Sequence, residues 1–271
     1  MKSYRIGRLV DETGITQDTL KFYERQGILT PYKKYSGYRY YDVPECGTIM
    51  QIRYLRQLGF SVKEILNMME NSNPGKIVDI VDQKIEDTDK KIQRMKLVQE
   101  ALGNYSRLCH AVYEKPNKWI IEDCQDYYFL KHTTAANFLG EANVSKYLKS
   151  WINEFIDIHI SLLIPEQKIY SENEDDCFWG FSVTEETAKM NNMVTDELIQ
   201  KINLGKCLIY AYSQKPVEFS SPKIIKEPLD IVAKLGYSVA GDVLCHFVSQ
   251  TTERNKDGGD LENYIIMIPI C

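Results

Sequence analysis

From Lys76 to Tyr113 the sequence holds a single helix breaker, Gly103. Within that run Val78, Ile85, Ile92 and Gln99 recur every seven residues, and Val81, Thr88, Met95, Leu102 and Cys109 do so offset by three. Two interleaved heptad series describe a coiled-coil seam. Lys84, Asp87, Lys91 and Arg94 fall on the other side and are expected to be wet. A lone helix of this kind leaves an apolar stripe in water, so it needs a partner: a second copy, or the back of its own chain. The candidate dimer contacts are Val78, Val81, Ile85, Ile92, Met95 and Leu102.

Ahead of this helix lies IGRLVDETGITQDTLKFYERQGIL, residues 6–29. Ile6, Leu9 and Val10 make one short helical face, and Thr13-Gly14 breaks it, because Gly reaches turn geometry that strains other residues. Thr16 stands where an N-cap is wanted, with Asp18 in the first turn to complement the dipole. Leu20, Tyr23 and Glu24 follow at helical spacing, and Gly27 ends the helix. A helix, a tight turn and a second helix is the layout that puts one helix in a DNA major groove. Thr16, Gln17, Lys21, Tyr23 and Arg25 are the candidates to meet bases or phosphates from that helix.

Lys34 to Tyr41 reads as a wing. Ser36-Gly37 is a turn signal, and Tyr38-Arg39-Tyr40-Tyr41 has strong β propensity. Tyr38, Arg39 and Tyr40 are candidate phosphate contacts, with core packing the alternative for Tyr40 and Tyr41. Val43-Pro44-Glu45 opens a third helix, with Ile49, Ile52, Leu55 and Leu58 close to one face. Ser61 and Glu64 form a capping box for a fourth, which packs back through Val62, Ile65, Leu66 and Met69. Arg53, Ser61 and Lys63 complete the DNA-facing candidates, although lone charges on such helices are commonly just solvated. Asn71 to Gly75 is a break.

Residues 4–70, with YRIGRLVDETGITQDTLKFYERQGIL, then GYRYYDVPE, then IRYLRQLGFSVKEI, resemble the winged-helix DNA-binding domain of MerR-family transcription regulators. The resemblance implies a homodimer, joined by an antiparallel coiled coil, that binds near-palindromic double-stranded promoter DNA. It further implies that the dimer twists that DNA so RNA polymerase can engage badly spaced promoter elements. Two recognition helices are then expected about 34 Å apart, or a multiple of that.

A net charge of −5 argues against DNA binding only until its distribution is read. Residues 1–72 carry 11 basic and 8 acidic groups, an excess of +3, which leaves −8 for the remainder. A basic front attracts phosphate, and an acidic back does not compete for it. The 7 cysteines, Cys46, Cys109, Cys124, Cys177, Cys207, Cys245 and Cys271, include no CxxC pair. That argues against structural zinc and for buried reduced thiols. Some MerR relatives sense metals through cysteines clustered after the long helix; Cys109-His110 is the nearest pair here and lacks a partner. No metal and no cofactor are expected. No run approaches the ~20 apolar residues of a membrane span, and MKSYRIGRLVDE lacks a signal-peptide apolar region. The expected location is the cytoplasm.

Glu114 to Asn117 ends the long helix, and the texture then changes. Strand-like runs appear at Trp119–Glu122, Tyr127–His132, Phe178–Val183, Cys207–Ser213, Val243–Gln250 and Tyr264–Ile270. Helical spacing appears over Asn143 to Ile164 and over Pro222 to Leu235, where Pro228 marks the first turn. Residues 184–204 read equally as helix or strand, and Asn255 to Leu261 as a hairpin loop. The order predicts an antiparallel sheet with helices on one face. The chain is thus expected to be α+β, with a winged helix-turn-helix over 1–73, a coiled-coil helix and linker over 74–117, and an antiparallel-sheet domain over 118–271.

The back half resembles the GyrI-like ligand-binding domain of multidrug-sensing regulators, through LGKCLIYAY, the helix before LGYSVAGDV, and the final YIIMIP. That implies an effector groove lined by aromatic groups, which stack on planar molecules and attract cations. The candidates are Trp151, Phe155, Phe178, Trp179, Phe181, Tyr210, Tyr212, Phe247 and Tyr264, with plain core packing as the alternative. In drug-sensing relatives a buried Glu follows the GDV-like turn. Here Gly241-Asp242-Val243 leads to Leu244 and Cys245, with Cys245 where the acid is expected. Another acid must serve (Glu154, Glu218 or Glu262), or the ligand is neutral or less strictly charged, because an unneutralised cation is costly in a dry pocket; the expected effector is a planar, hydrophobic molecule, cationic or not.

The expected function is a ligand-responsive transcription activator and not an enzyme, with no catalytic residues. Two alternatives stand beside it. One is a GyrI-like hydrolase fused to a DNA-binding domain, against which adjacent Cys245 and His246 point to opposite faces of a strand. The other is a constitutive architectural DNA binder whose pocket is filled by its own side chains.

Overall fold

The computed structural model describes residues 4–33, 39–70, 73–134, 138, 142–154, 156–171, 176–193, 198–214, 222–252 and 260–271. They belong to two compact units, Met1–Gln93 and Arg94–Cys271. The wing turn Ser36-Gly37, Tyr38, Phe155, Glu218 and residues 255–259 of the expected hairpin loop lie outside the described residues.

The first unit contains α1 (Ile6–Thr13), α2 (Gln17–Arg25), α3 (Val43–Gln57) and α4 (Val62–Glu70). Strands β1 (Tyr4–Arg5), β2 (Tyr32–Lys33) and β3 (Arg39–Tyr41) form a small antiparallel sheet in the order β1-β3-β2. Local chemistry sets the helix ends. Gly14 closes α1 at φ 64, and a Cβ there would lie 3.0 Å from Nη1 of Arg53. The Thr19 amide donates to Oγ1 of Thr16 at 3.3 Å. Asp42 and Glu45 form a capping box at α3, with Pro in the first turn. Ser61 and Glu64 form another at α4, through the Glu64 amide to Ser61 Oγ (3.2 Å) and the Ser61 amide to Glu64 Oε2 (2.5 Å). The core is Leu9, Leu20, Tyr23, Tyr41, Ile49, Ile52 and Ile65. Two assigned packing residues prove exposed. Leu58 sits at the C-cap of α3 and turns outward, and Met69 is exposed while its neighbour Met68 faces the core.

Helix α5 runs unbroken from Pro74 to Glu114, through Gly103. Its start packs on the first unit through Ile80 and Val81, so Val81 leaves the free seam. Lys84, expected to be wet, instead bonds Glu64 at 2.9 Å with its ammonium 4.9 Å from the Phe60 ring centroid. Its long stem covers apolar surface while its head finds an acid. Beyond it Ile85, Ile92, Met95, Leu97 and Leu102 are all exposed.

The second unit is an eight-stranded antiparallel sheet. In chain order its strands are β4 (Trp119–Cys124), β5 (Tyr127–Thr134), β6 (His159–Ile164), β7 (Phe178–Thr184), β8 (Ile199–Ile202), β9 (Gly205–Gln214), β10 (Val243–Thr252) and β11 (Asp260–Pro269). They line up as β4-β9-β11-β10-β6-β7-β5-β8. The expected helix over Asn143 to Ile164 is only α6, Ala142–Glu154; the remainder is the interior strand β6. Ser161 to Ile164 is completely or almost completely buried, because β6 pairs on both sides and both of its faces are covered. Such a strand reads as an unbroken apolar run with no period of two. The ambiguous stretch 184–204 divides into α7 (Glu185–Met190) and β8, and α8 spans Lys226–Lys234 with Pro228 in its first turn.

Helices cover both faces of this sheet, not one. Trp151, Tyr147 and Leu148 of α6, and Leu229 and Val232 of α8, pack on one face. Leu108, Cys109, Ala111 and Val112 of α5 pack on the other, against Tyr127, Leu163, Cys207, Leu244 and Ile265. Val112 is the fully buried one, worth about 1.5–3 kcal/mol, and Leu108, Cys109 and Ala111 are partly buried beside it.

Candidate functional site

In the first unit α2 divides its residues cleanly. Leu20 and Tyr23 are buried, whereas Thr16, Gln17, Lys21 and Arg25 are exposed. Tyr23 is therefore core and not a DNA-facing group: the spacing that carries Leu20 inward carries it too. Lys21 lies 3.5 Å from the exposed carboxylate of Asp18, a contact that solvent screens.

Several expected phosphate contacts are engaged within the protein. Arg39 Nε donates to Glu24 Oε2 at 2.7 Å, and the Tyr41 hydroxyl donates to Glu24 Oε1. Hydrogen bonding and charge from Glu24 raise the Arg39 pKa, and burial followed by Glu24 raises that of Tyr41. Tyr40 is half-buried, with its hydroxyl accepting from Arg5 Nε at 3.4 Å. Arg53 donates to the Thr13 carbonyl, an orphan acceptor at the end of α1. The Ser61 hydroxyl caps α4, while Lys63 beside it is exposed. The sequence shows only helical spacing for Glu24, because its partners lie 15 and 17 residues away.

In the second unit strand alternation brings Trp179, Tyr210, Tyr212, Phe247 and Tyr264 onto one face. Ring centroids lie 5.4 Å apart for Phe247 and Tyr264, 6.0 Å for Tyr212 and Tyr264, and 6.2 Å for Trp179 and Tyr264. Trp151 and Phe181 pack in an adjacent cluster on the same side. Phe178 does not join them. It neighbours Trp179 on β7, so it points to the α5 side, under the ammonium of Lys131. Cys245 is fully buried against the α8 side, and burial, then Cys177, pushes its thiol pKa up. His246 faces the other way, against Tyr127.

Two acids act on this face: Glu227 of α8, which raises the Tyr210 pKa after burial, and Glu262. Glu262 is 4% exposed, and the Tyr264 hydroxyl donates to its Oε2 at 3.2 Å. Burial, then Glu262, raises the Tyr264 pKa. The carboxylate thus stands among aromatic rings, though on β11 and not on β10 where the motif placed it.

The α5 side holds a polar cluster that the sequence did not announce. His159 and His246 stack with centroids 4.2 Å apart and planes 3° from parallel. Ser182 Oγ lies 3.2 Å from His246 Nε2 and 2.7 Å from Ser161 Oγ, and both serines are fully buried. Asp157 lies 3.6 Å from His159 Nε2 and accepts from Asn104 Nδ2 at 2.8 Å. Burial lowers both histidine pKa values; Asp157 opposes this at His159, and His159 adds to it at His246. The stack floors a cleft of about 590 Å³ between α5 and the sheet. Its members are far apart in sequence, and two histidines on separate strands form no motif. Among the described residues no three His, Cys, Asp or Glu side chains are grouped to hold a metal ion, and no helix is long and apolar enough to cross a membrane.

Residues 4–72 match the model of the MerR HTH family regulatory protein, and residues 47–105 that of the MerR DNA-binding segment. The mercuric resistance operon regulatory protein of Bacillus cereus is 30% identical over 122 residues, which are 42% of this chain and 92% of that protein. The nodulation protein NolA of Bradyrhizobium elkanii is 34% identical over 102 residues, 37% of this chain; the chain spans less than half (46%) of NolA. The EcmrR–DNA complex within the EcmrR–RPo assembly covers 98% of this chain and 99% of its own at 17% identity. Its TM-score of 0.38 is too low to establish a shared arrangement. On the family model and the Bacillus relative, the chain belongs to the MerR family of helix-turn-helix regulatory proteins.

Proposed function

We propose that the protein is a dimeric, ligand-responsive transcription regulator that grips and deforms promoter DNA when an effector occupies its back unit. The observation that carries this reading is the division of α2: Gln17, Lys21 and Arg25 stand in solvent on a helix whose other side is locked by Leu20 and Tyr23. In this reading Gln17 reaches base edges, and Lys21, Arg25 and Lys63 neutralise phosphate. The exposed stripe Ile85, Ile92, Met95 and Leu102 supports pairing of two copies along α5, because isolated helices do not hold such a stripe in water.

The effector we propose is a hydrophobic cation whose flat aryl rings stack against the face of Trp179, Phe247 and Tyr264, with Glu262 as counter-charge. This takes the GyrI-like resemblance of the back half and moves its acid from the Cys245 position to β11. A bound cation biases the regulator only through a difference in affinity between its two DNA-bound states, typically about 1–3 kcal/mol. The hydrolase reading loses its nucleophile–base pair, since Cys245 and His246 face opposite sides of the sheet. Ser161 and Ser182 are fully buried.

Footprinting of the full chain on its own upstream region, with and without tetraphenylphosphonium, tests this. A dimer is expected to protect a near-palindromic site, and the cation to change the cleavage pattern at its centre and raise run-off transcription. A monomer with no protected site overturns the proposal.

A further inference from the structure

Beside the end of α5 a slot of about 360 Å³ opens against the outer strands β4, β9 and β11. Its walls are apolar: Ala111 from α5, Ile120 from β4, Ile209 and Ala211 from β9 and Ile265 from β11, with Trp119 bordering it at the start of β4. Trp119 and Ile120 are 40% and 54% exposed, an unusual amount of open apolar surface on an edge strand. The rim carries three cations: Arg107, Lys115 and Lys118. One acid lines it, Glu114, and that carboxylate is engaged by His110 Nδ1 at 2.7 Å. Among the described residues neither lysine ammonium has an ion-pair partner. Arg107 donates to the amide oxygen of Asn104, which leaves its charge uncompensated.

We infer that this slot is a second small-molecule site, on the opposite side of the sheet from the aromatic face, and that it takes an amphipathic anion. The occupant is an apolar ring system or chain bearing one carboxylate or sulfonate. Its apolar body displaces water from Ile120 and packs against Ala111 and Ile209, and its acid group meets the lysine rim. The size falls in the range of small-molecule pockets, about 300–1,000 Å³. The charge pattern excludes the lipophilic cation proposed for the other face, since three cations at one mouth repel it. The lining is shared between α5 and three strands, so an occupant seats or unseats the end of the helix on the sheet.

The test uses the full chain with 1-anilinonaphthalene-8-sulfonate, an aromatic anion that brightens on leaving water, read by energy transfer from tryptophan. Saturable binding is expected, displaced by dodecanoate and not by tetraphenylphosphonium. Lys115→Glu combined with Lys118→Glu changes only exposed side chains and is expected to weaken the probe about tenfold, the sum of two exposed charge contacts and their reversal. Trp119→Phe is expected to dim the transfer while leaving direct-excitation binding in place. Unchanged affinity in the double variant overturns the proposal. So does displacement by tetraphenylphosphonium, which moves the probe to the aromatic face. Binding that disappears whenever the protein is dimeric overturns it as well, and gives the slot to a second copy. Binding seen only with phosphatidylglycerol vesicles, and never with the monomeric probe, does the same in favour of a lipid surface.

Discussion

Arg39 on the small sheet sets its Nε 2.7 Å from Oε2 of Glu24, one residue before the end of α2. The other oxygen of Glu24 takes the hydroxyl of Tyr41, whose ring is fully buried. One carboxylate thus ties the recognition helix to the strand that leads out of the wing. Glu24→Ala strands the Tyr41 hydroxyl in the core and is expected to cost about 1–3 kcal/mol, the price of a buried donor without an acceptor. Arg39→Ala is expected to cost less, since the guanidinium is partly solvated and recovers water. Equilibrium urea unfolding of both variants checks the order; equal losses would show that the ion pair and not the tyrosine bond carries the link.

Acid is expected to loosen the contact between α4 and α5. Hydrogen bonds from Ser61, then Lys84, lower the Glu64 pKa to about 2. A carboxylate depressed in the folded state stabilises the fold above its unfolded pKa, about 4.3. That contribution is lost as pH falls from there through about 2. Glu64→Gln removes it at all pH values, so its stability is expected to fall less steeply than wild type between those limits. Parallel acid titrations followed by circular dichroism would reveal it; identical slopes would refute the assignment.

The stacked histidines act at a higher pH. Burial holds both His159 and His246 below the usual imidazole pKa, with Asp157, Tyr127 and Arg107 around the same cleft. A histidine kept neutral in the fold stabilises it above the unfolded pKa, about 6.5, and that benefit fades as pH drops and the unfolded chain takes protons first. The melting temperature is expected to fall between pH 7.5 and 5.5, and His246→Phe to flatten the fall, with Ser182 still bonded to Ser161. A variant that keeps the full pH dependence would place the titration elsewhere.

Glu262→Gln tests the counter-charge. The amide keeps the shape of the site and an acceptor for Tyr264, and removes the charge. Tetraphenylphosphonium is expected to bind at least about tenfold more weakly, a loss near 1.4 kcal/mol. A neutral analogue such as triphenylphosphine oxide should be unaffected. Isothermal titration separates the two, and equal losses for both ligands would reduce Glu262 to a packing residue.

Legibility followed the reach of each interaction. Thr16, Asp42 and Ser61 cap helices by bonds to residues three positions on, and Gly14 and Pro228 act within their own turns. Such contacts are written in adjacent letters. The heptads of α5 and the alternation of six strands were readable for the same reason: period is a local property. What depends on distant partners was not. The run from Ser161 to Ile164 has no alternation because both of its faces are covered, one by α8 and its surroundings and the other by α5. Only the tertiary structure brought Glu262 among the aromatic rings, bound Arg39 to Glu24, and stacked His159 on His246. In each case the sheet order and the helix layers bring together residues that no sequence spacing connects, and burial then sets their charge.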